Sequence, residues 1–194
     1  MKGFLLTTLL VLSLCSCIGI QSQLSLGRDG SGTLRLDYRL ARFLKEGVDL
    51  PLPVSRGDFQ RAVEAAPGLK LETLSEREDE QDLYIAARLS FDRLDDLNAL
   101  GSQLGLSYTV QEDSHTFRQR VYAGQPSEGI SAESLKMIDA FFQGYELSFE
   151  LNSPAPIKAH TLGELSADRR SLRYKTTVAE LLKHKDEVAL EASW

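Results

Sequence analysis

Apolar and polar residues alternate with period two through most of the chain, and the alternation is broken at regular points by glycine, proline and charged runs. Leu24 and Leu26 share one face of a first strand, and Gly27 to Gly32 reads as a hairpin loop. Leu34, Leu36, Tyr38 and Leu40 then alternate with Thr33, Arg35, Asp37 and Arg39, the pattern of a half-buried antiparallel strand. Leu69, Leu71 and Thr73 predict another strand. Leu83, Ile85, Ala87, Leu89 and Phe91 predict its partner across the acidic turn Ser75 to Gln81. Later strands are expected at Leu106–Val110, Phe117–Val121, Tyr145–Leu151, Leu172–Thr176 and Val188–Trp194, with a weak one between Ile157 and Leu162.

Four stretches switch to helical spacing. Ser55 or Asp58 can cap a helix carrying Phe59, Ala62, Val63 and Ala66. Asp92 can cap one carrying Leu94, Leu97, Leu100 and Leu104. A third opens at Ser131 or Ala132 and presents Leu135, Ile138, Phe141 and Phe142, and Thr177 can cap a fourth with Val178, Leu181 and Leu182. The fold class that follows is α+β, a largely antiparallel sheet with helices packed on one face. From Asp82 to Leu151 the order is β-α-β-β-α-β, that of a ferredoxin-like unit. Residues 24–194 read as a single domain, and Trp194 reads as a core residue that docks the last strand.

The first residues follow a different rule. Lys2 precedes an apolar run from Phe4 to Leu14, too short for a hydrocarbon core of ~30 Å. Residues 1–16 read as a secretory signal peptide. The run Leu14-Cys15-Ser16-Cys17 resembles a bacterial lipobox, with Cys17 as the better match because a small Ser16 precedes it. That resemblance implies thioether lipidation of Cys17, a bacterial cell-envelope location, and anchoring to the inner or outer membrane. Residues 17–23 would then be the lipidated cysteine and a short tether.

Composition narrows the chemistry. A net charge of -6 argues against a dedicated nucleic-acid binder. Both cysteines lie within the first 17 residues, so the folded part has neither a disulfide framework nor a cysteine metal site. His115, His160 and His184 are too far apart in sequence for a zinc motif and read as surface residues. No nucleophile elbow, phosphate-binding loop, dinucleotide fingerprint or calcium loop is present. The carboxylates, Asp95-Asp96 and Glu76 to Glu80 among them, fall on turns and polar helix faces. The expectation is a protein without catalytic residues, cofactor or metal. Against the acidic background, Arg169, Arg170, Arg173 and Lys175 form a local basic cluster. It is either a contact for anionic lipid headgroups or a solvated hairpin balanced by Glu164, Asp168 and Glu180.

The lipobox, the strand SGTLRLDYRL after a glycine hairpin, the strand YELSFELNSP and the polar hairpin SADRRSLRYKTTVAELL together resemble the LppM-type domain of bacterial envelope lipoproteins. The resemblance implies an envelope protein that contacts lipids or glycolipids, and it carries over no catalytic residue. Many members of that family have a C-terminal transmembrane helix. This sequence has no second long apolar run, which places anchoring on Cys17. Two readings stand: an interaction or scaffold module at the membrane surface, partnered by envelope proteins, or a domain that binds a lipid or glycolipid in an apolar groove. A hydrolase assembled from scattered residues is a third and weaker reading.

Overall fold

A computed structural model describes residues 18–42, 52–100, 106–111, 114–124, 131–141 and 145–194. Two sheets carry the architecture. The larger has seven strands: β1 (Ile18–Leu26), β2 (Gly32–Ala41), β3 (Leu69–Glu78), β4 (Asp82–Phe91), β7 (Leu147–Asn152), β9 (Glu164–Leu165) and β10 (Ser171–Thr176). Their spatial order is β3-β4-β2-β1-β7-β10-β9, so β1 is the middle strand. Neighbours are antiparallel except β1 and β7, which run parallel with Ile20 opposite Leu147. The smaller sheet has the order β5-β6-β11-β8, from β5 (Leu106–Gln111), β6 (Ser114–Tyr122), β8 (Ala159–His160) and β11 (Val188–Ser193).

The alternation predicted for β2 and β4 is what buries their inner residues. Leu34, Leu36, Tyr38 and Leu40 join Leu83, Ile85, Ala87, Leu89 and Phe91 in one core. Leu24 and Leu26 of β1, Leu147, Phe149 and Leu151 of β7 and Leu172 of β10 extend it across the sheet. Helix α1 (Arg56–Ala65) adds Phe59 and Ala62 to that core. Ser55 is its N-cap, accepting from the Asp58 amide at 3.3 Å, while the Asp58 carboxylate takes the Ser55 hydroxyl at 2.8 Å. The reciprocal bonds settle which of the two candidates caps. Helix α2 (Ala132–Phe141) opens at Ser131, and helix α3 (Val178–Leu181) is capped by Thr177. Phe117, Leu190, Ala192 and Trp194 of the smaller sheet join the same core. Helices and second sheet thus cover one face of the larger sheet, and the α+β class holds.

Several local expectations change. Leu94–Leu100 is a 3-10 helix, not an α-helix. Leu94, Leu97 and Leu100 are spaced by threes, and a helix of three residues per turn stacks them on one buried face. Leu104 and Phe142 lie outside the described residues. In β3 a bulge at Glu72 leaves Leu71 opposite Leu89 and moves Thr73 opposite Arg88. One extra residue flips the parity, so Leu74 rather than Thr73 faces inward. The β-α-β-β-α-β order from Asp82 to Leu151 is present, but its strands divide between sheets. The pair β5–β6 belongs to the smaller one, and β4 and β7 to the larger. The segment expected as a tether is strand: β1 starts at Ile18 and pairs along its whole length with β2. The weak strand near Ile157 is reduced to the two residues of β8, while Ile157 itself is fully buried. Trp194 is buried as expected. It stacks on His115 with ring centroids 6.1 Å apart, which makes His115 half-buried rather than a free surface residue.

Candidate functional site

The outer face of the seven-stranded sheet is built from the residues between the core positions. The strand registers align them in transverse rows. The first row runs Thr73, Arg88, Arg35, Gln23, Glu150, Arg173. The second runs Ser75, Ala86, Asp37, Gln21, Ser148, Lys175, and the third runs Arg77, Tyr84, Arg39, Gly19, with Glu146 and Tyr145 just before β7. Long side chains dominate the first and third rows and short ones the second. The face is therefore a trough lying across the strands. Six strands make it about 24 Å long, and four residues along a strand separate its walls by about 13 Å. Two confluent cavities occupy it. One of about 430 Å³ lies between the second and third rows, and one of about 330 Å³ lies between the first and second. Gln21, Asp37 and Glu146 line both.

Ion pairs hold the walls. Arg173 Nη2 is 2.6 Å from Glu150 Oε2, and Gln23 Nε2 donates to Glu150 Oε1 at 2.9 Å. Burial opposes the charge on Glu150, but these donors outweigh it and hold the carboxyl below its ordinary range. Arg35 Nε bonds Asp37 Oδ2 at 2.7 Å, and Lys175 Nζ bonds Glu146 Oε1 at 2.8 Å. In the wall made by the third row the Asp82 carboxylate, 3% exposed, takes Arg39 Nε at 2.7 Å and the Tyr145 hydroxyl at 2.9 Å. Arg39 then lies 4.4 Å above the Tyr145 ring, and Arg77 lies 4.1 Å above Tyr84. Partial burial works against the Arg39 charge, and Asp82 more than restores it. Gly19 forms the floor between these stacks. A Cβ there would meet the Glu146 carbonyl and the Tyr145 ring at 3.6 Å, ordinary contact distances.

The predicted basic cluster is divided by this geometry. Arg173 and Lys175 lie on the outer face, each bonded to a glutamate. Arg169 has a positive φ of 58° in the turn before β10, and its side chain donates to the Ile157 carbonyl at 3.0 Å and that of Lys158 at 3.3 Å. Arg170 stands exposed in the same turn. Because β10 is antiparallel to β7, and β7 parallel to β1, that turn lies at the end of the sheet away from Ile18. Cys17 lies outside the described residues. His160 Nδ1 is 3.2 Å from the Leu162 carbonyl, and His184 is exposed in the turn after α3. Among the described residues no three His, Cys, Asp or Glu converge as a metal site requires. No described helix is long and apolar enough to cross a membrane.

The trough was not anticipated. Its residues are visible as the polar half of each alternation, but their rows depend on which strands become neighbours. No family model and no curated protein matches the sequence. Among solved structures, the fold is similar to the NMR structure of the folded domain of Mycobacterium tuberculosis LppM, with a TM-score of 0.49 and 9% identity, covering 92% of this chain and 89% of that one.

Proposed function

We propose that this is a lipid-anchored, non-enzymatic module of the bacterial envelope that presents the outer face of its larger sheet to a partner at the membrane surface. The open trough carries this reading. Its inner counterpart is closed by helices and a second sheet, whereas among the described residues nothing packs over the outer rows. Arg35, Arg39, Arg173 and Lys175 are each paired with a carboxylate and Arg77 stacks on Tyr84, an arrangement that suits recognition of a polar surface rather than proton transfer. The lipobox supplies the anchor through Cys17. An envelope protein or the polar part of a lipid are both compatible partners. The large apolar side chains are spent in the core; the smaller cavity is lined by charged and polar residues alone, and the larger mixes Tyr84, Tyr145, Ile85 and Ala86 with charged groups, which favours the module over a wholly apolar lipid groove.

The test places a photo-crosslinking residue at Gln21 or Ser148 in the trough, and at Lys185 outside it, in the full chain expressed in a bacterial host. Discrete adducts from the trough positions that vanish with Ala86→Trp are expected. Equal labelling from Lys185, or no adduct from the trough, overturns the reading. Mass spectrometry of the N-terminal peptide tests acylation of Cys17 separately.

A further inference from the structure

We infer that the domain stands on the membrane with the strands of its larger sheet pointing away from the bilayer, held by β1 itself. This rests on the proposed lipidation of Cys17. Cys17 is covalently joined to Ile18, and Ile18 is already paired with Leu40 in the middle strand of the seven. No free residue separates the acyl-bearing side chain from the sheet. A flexible leash lets a domain tumble above a membrane, and a strand that begins at the anchor does not.

The registers state what faces the lipid. Opposite Ile18 is Leu40, and one step beyond it Ala41 pairs with Asp82. The β3–β4 turn at Asp79–Gln81 therefore lies at the Ile18 end of the sheet, two to three strands or about 10–14 Å to the side of β1. Arg42 shares this rim, with Nε 2.7 Å from Glu78 Oε1. The third row, with Arg39, Arg77 and the two tyrosines, meets β1 at Gly19, two residues along the chain from Cys17, a reach of about 7 Å. That is the thickness of one headgroup layer, given a core of ~30 Å inside a bilayer of ~40–45 Å. Tyrosine and arginine suit that layer, the ring amphipathic and the guanidinium able to meet phosphates. The acidic groups Glu78, Asp79 and Glu80 share the rim and temper its attraction to anionic lipid. The turn carrying Arg169 and Arg170, like Arg28 in the β1–β2 hairpin, is about 30 Å up the sheet. The trough then runs parallel to the membrane, its floor about 13 Å from the anchor.

The experiment uses the full chain, processed in a bacterial host and reconstituted in vesicles of phosphatidylethanolamine and phosphatidylglycerol carrying a headgroup nitroxide. Single cysteines at the rim (Glu80→Cys or Gln81→Cys) and at the far end (Arg28→Cys or Arg170→Cys) carry a fluorophore. Quenching at the rim about two-fold or more above that at the far end is expected, given the ~7 Å headgroup layer. Inserting a flexible Gly-Ser segment between Cys17 and Ile18 should erase the difference. Equal or reversed quenching in protein whose Cys17 acylation is confirmed by mass overturns the orientation. A difference that survives the insertion overturns β1 as its cause. Loss of the acyl mass or of vesicle binding marks failure of the lipidation itself.

Discussion

The two faces of the seven-stranded sheet are made by the same strands from alternate residues, and they obey different rules. The inner face is tolerant of sequence order, since any apolar residue of roughly the right size at an inward position adds to the core. The outer face is specific to neighbours. Glu150 sits where it does because Gln23 and Arg173 flank it in register, and Asp82 because Arg39 lies diagonally across the β2–β4 ladder. Composition determines one face, and pairing determines the other.

The contrast can be broken most strongly from the inside. Leu89→Ala removes a fully buried side chain and is expected to cost about 3 kcal/mol, within the 2–5 range for such truncations, read by urea unfolding. Next comes Asp82, a buried carboxylate beneath the outer face. Asp82→Ala leaves Arg39 and Tyr145 without their shared acceptor and should cost about 1–3 kcal/mol. Asp82→Asn should recover part of that loss, because the amide oxygen still accepts one of the two bonds. A pH series separates a smaller contribution. The folded-state pKa of Glu150 is lowered, so its ion pair stabilises fully above the unfolded value near 4.5 and is lost as pH falls below it. Melting temperatures between pH 7 and 3 should fall less steeply in Glu150→Gln, which starts lower at pH 7. Ser148→Ala on the trough floor should change stability by less than about 0.5 kcal/mol. A larger loss from that substitution would erase the distinction between the faces.

The legible part of the fold was the part set by period. The Leu34–Leu40 alternation, the helical spacing of Phe59 and Ala62, and the Thr177 cap all lie within a few residues of their causes. What failed depended on distance or on a single inserted residue. The bulge at Glu72 has no local signature, and it exchanges Thr73 for Leu74 at the core. Gln21, Ser22 and Gln23 read as tether because the partners that make them a strand are Asp37, Leu36 and Arg35 on one side and Ser148, Phe149 and Glu150 on the other. For the same reason the four strands of the ferredoxin-like order could be found while the sheets they join could not. The candidate site was least legible, since every row of it is a product of strand order.

The middle position of β1 also bears on how the chain folds as it emerges. The pairings among β1, β2, β3 and β4 join strands that arrive early, and all three are antiparallel. The second edge of β1 waits for Leu147–Asn152, more than a hundred residues later, and for a parallel pairing. Contacts of such long range are slow to form, and an unpaired edge is a template for another chain. Until those residues arrive the four strands are half a sheet, with the open edge of β1 as an exposed seam. The seam runs directly from the cysteine proposed to carry the lipid. Maturation is therefore a race between closing that seam with β7 and pairing it with a neighbouring molecule.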